Sequence, residues 1–408
     1  MSAPSHTRSL ALPAGLLIAC AVGGAMLAMG LRQSFGLFLA PMTAAHGWTA
    51  SGFAFAIALQ VLLNGVSQPL TGQLADRFGG RKVIIGGALL YAAGILGMAL
   101  SDGLPLFTFF AGVVMGVAVS AAGMPTIIAS LTRMLPEEKR GRAVGLGTAG
   151  SSAGQFLVVP LAGLGIAGFG WQWALVAMAL AALLMIPLAM PLADQPAKPA
   201  AGAAADNETA GAALSRAFRD PSFWCLFFGF FVCGVHVSFL TVHLPGFVHS
   251  CGLPLYVGAG AISLIGLFNI AGSLMSGELT QRWKRRELLV GIYAARGVLM
   301  TAFLLMEKTT TSVMIFAALM GILWLSTVPP TVALCARNWG TRWLATIFGL
   351  VFLGHQIGGF TGAFLGGLVF DRTGSYDLMW VFGILAAAFA AIVHLPVRDG
   401  PRPALAAA

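Results

Sequence analysis

Apolar residues in this chain do not alternate with polar ones at a strand or a surface-helix period. They run on, almost free of charge, for about 20 residues or more at a time. Twelve such runs are read at 12–40, 49–75, 82–101, 104–131, 142–166, 171–192, 222–248, 256–280, 287–306, 311–336, 343–370 and 375–396. Each can cross about 30 Å of hydrocarbon. Lipid offers the backbone no hydrogen-bond partner, so each must cross as a helix. The pattern therefore predicts an all-α membrane protein with twelve transmembrane helices.

Composition sharpens that reading. Hydrophobic residues make up 58% of the 408 positions and charged residues 9%, where a water-soluble chain carries about a quarter charged. The 53 glycines suit helices that approach closely in lipid. The net charge of +9 could suggest nucleic acid, but its placement excludes that partner. With the N-terminus inside, 19 of the 23 Lys and Arg fall on the cytoplasmic side, the asymmetry that sets membrane orientation. Both termini are thus expected in the cytoplasm, and the chain is expected in a bacterial inner membrane. Five scattered cysteines (Cys20, Cys225, Cys233, Cys251, Cys335) show no metal or redox spacing. The first run is too long and Gly-rich for a cleaved signal peptide.

An Ala- and Pro-rich stretch at 193–221 divides the runs six and six, and reads as a flexible linker. It separates an N-terminal bundle, 1–192, from a C-terminal bundle with a short tail, 222–408. At an offset of 204 or 205 residues the halves match in register. Ser34, Phe35 and Pro41 meet Ser238, Phe239 and Pro245. Leu62, Asn64, Gly72, Leu74 and Arg77 meet Leu267, Asn269, Gly277, Leu279 and Arg282. Gly145, Gly150 and Gly154 meet Gly349, Gly354 and Gly358, and Pro125 meets Pro329. Parallel repeats of this kind belong to transporters that rock two halves about a midplane site.

The loop after the second run reads Gly72-Gln-Leu-Ala-Asp-Arg-Phe-Gly-Gly-Arg-Lys82. It resembles the signature loop of the major facilitator superfamily, with Asp76, Arg77 and Arg81 in place. A degenerate copy, Gly277-Glu-Leu-Thr-Gln-Arg282, follows the eighth run. An acid at a helix end beside several cations is expected to form a latch that opens as the halves rock. The segment from Lys139 to Ser152 and that from Gly366 to Tyr376 are similar to the monocarboxylate transporter branch and its oxalate–formate antiporter cousins. That resemblance implies alternating access and a small carboxylate substrate. Those families place an arginine late in the eighth span, where this chain has Gly272 and Ser273.

The residues themselves offer candidates. An ionisable group in mid-membrane costs several kcal/mol and is a functional hypothesis by default. Arg32 sits on a face with Ala21, Ala25, Ala28 and Gly36, small residues that leave room for an anion, and Arg grips carboxylates bidentately. At offset 204 its repeat mate is His236, expected across a central cavity. His355 and Gln356 lie midway along the eleventh run, and Asn64 and Asn269 are repeat mates. These six form the candidate binding set. His243 and the polar stripe Gln60, Asn64, Gln68 and Thr71 are weaker candidates, and Trp324 and Phe268 could wall the cavity. Arg296 is expected to be structural or to meet lipid headgroups. The glycines at 145–154 read as helix packing, too apolar to cradle phosphate. No catalytic set, metal cluster or cofactor motif appears, so an enzyme is not expected.

The sequence thus points to a monomeric secondary transporter of a small organic anion, by proton symport through His236 or His355 or by exchange. A multidrug efflux carrier and a transporter-like solute sensor remain alternatives.

Overall fold

The computed structural model describes residues 13–135, 137–192, 209–340 and 343–400. Among these, the spans are α1 (Ala14–His46), α2 (Ala50–Phe78), α3 (Gly80–Ala99) and α4 (Leu104–Met134), then a long stretch, Ala143–Ala189. That stretch breaks at Gly170, whose φ of 83° and ψ of 164° lie outside any helix in a region that glycine tolerates. It is therefore two spans, α5 before Gly170 and α6 after it. The second half comprises α7 (Pro221–Ser250), α8 (Leu255–Arg282), α9 (Arg285–Leu305), α10 (Thr310–Trp339), α11 (Leu344–Thr373) and α12 (Asp377–His394). Twelve spans result, as expected. Below, the linker end is the end of the bundle where α6 stops and α7 starts, and the far end is the opposite one.

Glycines decide how the spans pack. In the first half α5 lies on α1: a Cβ at Gly154 would stand 1.9 Å from the Met26 carbonyl oxygen, and one at Gly150 would stand 2.6 Å from Val22. In the second half α11 lies on α7 in the same way. A Cβ at Gly358 would be 1.9 Å from the Phe231 oxygen, and one at Gly354 would be 2.9 Å from that of Phe227. Of the tract at 145–154, Gly147, Gly150 and Gly154 pack on neighbouring helices, whereas Gly145 meets nothing within 4 Å. The halves then meet along two seams related by the repeat, α2 against α11 and α5 against α8.

This packing fixes the register of the repeat. Gly150 and Gly354 are mates, as are Gly154 and Gly358, and their neighbours are Val22 with Phe227 and Met26 with Phe231. For α1 and α7 the offset is therefore 205, not 204. One residue turns a helix by about 100°, which moves every α7 assignment to another face.

The repeated proline has a shared purpose too. Pro125 and Pro329 each open a second helical segment, Met124–Met134 in α4 and Val328–Trp339 in α10. There the missing N–H has no helical partner to lose.

Residues 193–208 of the expected linker, and the terminal segments 1–12 and 401–408, lie outside the described residues, as do the side chains of Lys139, Arg140 and Arg142. The rest of the linker is no tether. Thr209 caps a helix, Ala210–Phe218, by accepting from the Ala212 N–H at 3.3 Å. Ala217 is fully buried there, and Arg216 donates to the Trp339 carbonyl at 3.2 Å.

Candidate functional site

Between the seams lies a cavity of about 670 Å³, lined by α1, α2, α4 and α5 from one half and α7, α8, α10 and α11 from the other. It runs from mid-helix, at Arg32, Gln60 and His355, to Gly145, Leu274 and Ala336 nearer the linker end. At the far end the halves touch. Ser34 returns its hydroxyl to the Gly30 carbonyl at 2.8 Å, and α1 tightens into a 3₁₀ turn, Phe35–Phe38. Gly36 of that turn presses on α7 so closely that a Cβ would stand 2.1 Å from the Thr241 oxygen. Ser263 donates to the Phe156 carbonyl at 2.7 Å across the α5–α8 seam.

Four polar residues from four helices line this cavity. Arg32 lines it from α1 and makes no hydrogen bond or ion pair among the described residues. Gln60 of α2 is 1% exposed, with both amide atoms unpartnered. Thr241 of α7 has an unpartnered hydroxyl, and Trp324 of α10 an unpartnered indole N–H. Buried polar groups are normally paired, and three of these residues, Gln60, Thr241 and Trp324, carry buried polar atoms without a partner. Among the described residues no Asp or Glu lines the cavity.

The local fold explains why Trp324 points there. The first helical segment of α10 ends at Leu323, which leaves backbone groups without helical partners. Arg296, 1% exposed on α9, donates to the Leu323 oxygen at 2.6 Å and also to that of Trp324. A cation at the negative end of a helix is electrostatically favoured there. Asn269 accepts from the Leu325 N–H at 3.1 Å. Arg296 is thus structural and meets no headgroup.

The sequence candidates divide. Arg32, His355 and Gln356 line the cavity together. The His355 ring stacks on Phe352, with centroids 5.4 Å apart, and its Nδ1 donates to Gln356 Oε1 at 3.2 Å. Gln356 Nε2 crosses the seam to the Val61 carbonyl at 2.8 Å. His236 does not line the cavity. Its Nε2 binds the Gly383 carbonyl of α12 at 2.8 Å, and the one-residue register shift is the reason: the true mate of Arg32 is Val237, which does line it. Asn269 lies behind the wall, donating to Ser152 Oγ at 2.9 Å, and Asn64 is buried outside the lining. His243 bonds the Ala363 carbonyl at 2.7 Å, and Phe268 lies off the lining. Of the polar stripe on α2, Gln60 alone reaches the cavity, while Thr71 pairs with Ser120 at 2.7 Å.

Thr241 was missed, and offset 205 would have found its face. Gln33 was missed as well, though it follows Arg32. It donates to Gln155 at 3.1 Å, which donates to the Ile262 carbonyl at 2.9 Å, joining α1, α5 and α8.

In the signature loop Asp76 pairs with Arg133, both in the first half. Arg77 lies over the Phe78 ring at 5.2 Å, and Arg81 donates to the Met190 carbonyl at 3.3 Å. In the second copy Arg282 donates to Glu278 at 2.9 Å. Gly72 and Gly277 have open space around them. Each of these contacts lies within one half.

The sequence profile described as Major Facilitator Superfamily matches residues 21–363. The chain is similar to the uncharacterized MFS-type transporter YcxA of Bacillus subtilis, 25% identical, covering 89% of this chain and 90% of that protein. It is also similar to monocarboxylate transporter 13 of Bos taurus (24% identical, 91% and 86% covered) and monocarboxylate transporter 11 of Homo sapiens (25%, 89% and 79%). Among solved structures, a D-xylose-proton symporter shares the fold, with a TM-score of 0.73 at 14% identity over 92% of this chain and 97% of that one.

Proposed function

The chain belongs to the Major Facilitator Superfamily and is one of its secondary transporters, not an enzyme, and from that premise we propose that its cargo is a small organic anion, a monocarboxylate, bound at Arg32. The observation that carries this is an arginine without an ion-pair partner in the lining of a cavity that, among the described residues, no Asp or Glu lines. A charge held there at a cost of several kcal/mol needs a compensating partner, and the guanidinium fork matches a carboxylate. The names of the two monocarboxylate transporters it is similar to agree with that chemistry. A carrier of cationic drugs would want an acid in the lining, which is absent among the described residues.

The linker end is assigned to the cytoplasm on the distribution of Lys and Arg, and the membrane to the inner membrane of a bacterium. The cavity then faces inward, and alternating access brings it to the other side. His355, which lines the cavity with its ring stacked on Phe352, is the residue we assign to the coupling proton. The test is uptake of a labelled monocarboxylate into proteoliposomes under an imposed pH gradient. Gradient-driven accumulation in wild type, lost in Arg32→Ala and uncoupled in His355→Gln, is expected. Uptake by Arg32→Ala at wild-type apparent affinity would remove the arginine from the site.

A further inference from the structure

We propose that the cargo is a singly charged acid with a bulky apolar, preferably aromatic, body, and not a short hydroxy acid, a dicarboxylate or an amino acid. This rests on the anion reading above and concerns what the rest of the cavity accepts. Arg32 supplies one positive charge, and among the described residues no second Lys or Arg lines the cavity. A dianion would leave one charge unmatched in a poorly solvated space. An amino acid would bring an ammonium group to a lining without Asp or Glu. Opposite Arg32, the second half presents Phe230, Phe352, Val237, Val328 and the Trp324 ring. His355 lies against both phenylalanines, stacked on Phe352 at 5.4 Å and tilted by 49° to Phe230 at 5.0 Å between centroids, which makes an aromatic wall of stacked and tilted rings. Rings prefer offset or edge contacts with such a wall.

The experiment is a thermal-shift titration of the purified full chain with benzoate, phenylacetate, lactate, succinate and glutamate, on wild type, Arg32→Gln and Phe352→Ala. The unliganded melting temperature of each variant reports folding. An aromatic monoacid binding about tenfold or more tighter than lactate is expected, as burial of a ring's extra apolar area requires. That preference should fall in Phe352→Ala, and binding should vanish in Arg32→Gln. Lactate, succinate or glutamate binding as tightly as the aromatic acids, with loss in Arg32→Gln, would overturn the substrate class and leave the anion site standing. No acid stabilising the folded wild type, or equal stabilisation of folded Arg32→Gln, would overturn both.

A separate observation concerns the far end. Asp371, at the end of α11, accepts from the Ala50 N–H at 2.9 Å and the Ser51 N–H at 2.8 Å, the first two residues of α2. Those amides have no helical acceptor, and a carboxylate is favoured at a helix N-terminus. Asp371 therefore caps a helix of the other half. Gly367, one turn earlier, permits the approach, since a Cβ there would be 2.7 Å from the Ala50 oxygen. We infer that Asp371 is the clasp of the α2–α11 seam, which must release before the cavity can open at the far end. Asp371→Ala removes both acceptors, and Asp371→Asn keeps one.

Spin labels at Asp102 and Tyr256, exposed far-end positions on opposite halves, report the gap by pulsed electron resonance. A single short distance in wild type, a longer second population in Asp371→Ala and a smaller one in Asp371→Asn are expected. Identical distributions in all three would overturn the clasp. So would a shift in Asp371→Ala accompanied by an equal one in Asp377→Ala, a neighbouring acid without that contact.

Discussion

Gly358→Ala adds one methyl group at one of the two tightest approaches between α7 and α11, the other being Gly234. Built on the existing backbone, its Cβ would lie 1.9 Å from the Phe231 carbonyl oxygen and 2.7 Å from its carbonyl carbon. Ordinary contact begins near 3.4 Å, so the helices must part by about 1.5 Å, because the obstacle is backbone and cannot rotate away. Overpacking a close core costs about 1–3 kcal/mol. A gap of 0.5–1 Å already forfeits a quarter to a half of the dispersion attraction along the seam. Together these place the loss near 3 kcal/mol. Gly349→Ala, two turns earlier on the same helix, is the control. A Cβ there meets nothing within 4 Å, and Ala is the better helix former by about 1 kcal/mol. Thermal unfolding in detergent, followed by circular dichroism, should show Gly358→Ala melting well below wild type and Gly349→Ala at or above it. The repeat requires the same contrast between Gly154→Ala and Gly145→Ala. Equal melting temperatures for Gly358→Ala and Gly349→Ala would refute the packing account and the register drawn from it.

Other outcomes follow from the same geometry. Asn269→Ala strips the Leu325 N–H and Ser152 of partners, at about 1–3 kcal/mol for each buried group left unpaired, and unfolding in detergent should show it. Deletions confined to 193–208 should leave uptake intact, whereas removing Ala210–Phe218 should lower the melting temperature, because Ala217 is buried against the second half. An impermeant maleimide added outside should label exposed Cys251 and spare buried Cys233 and Cys335. Partial burial holds the Cys251 thiol above its ordinary range. The reactive thiolate should therefore be scarce at neutral pH, and labelling should accelerate as pH rises past the usual thiol value.

The spans were legible because lipid imposes a simple constraint on composition. The break at Gly170, which separates α5 from α6, was legible too, as a short gap between two apolar runs. What failed was rotational: His236 was expected to face Arg32, and an offset wrong by one residue sent it instead to the Gly383 carbonyl. In a segment apolar on every side, nothing in the pattern marks which face looks inward. The close approaches of Gly154 and Gly358 supply that mark, and they exist only once the helices are packed. Asn269 was misplaced for a related reason, while Arg296 took the structural role that was one of its two expected readings. Each serves the interruption of α10 near Trp324, and an apolar run does not announce where its helix stops. Arg32 stood out because a mid-membrane charge is conspicuous in any sequence, and it lines the cavity.

The most direct test of the account is an experimental structure of the full chain with an aromatic monocarboxylate bound. The account predicts carboxylate oxygens within about 2.7–2.9 Å of the Arg32 guanidinium and the ring against Trp324 and Phe352. A ligand seated elsewhere, or an Arg32 paired with a group of the protein while the acid occupies the cavity, would contradict it.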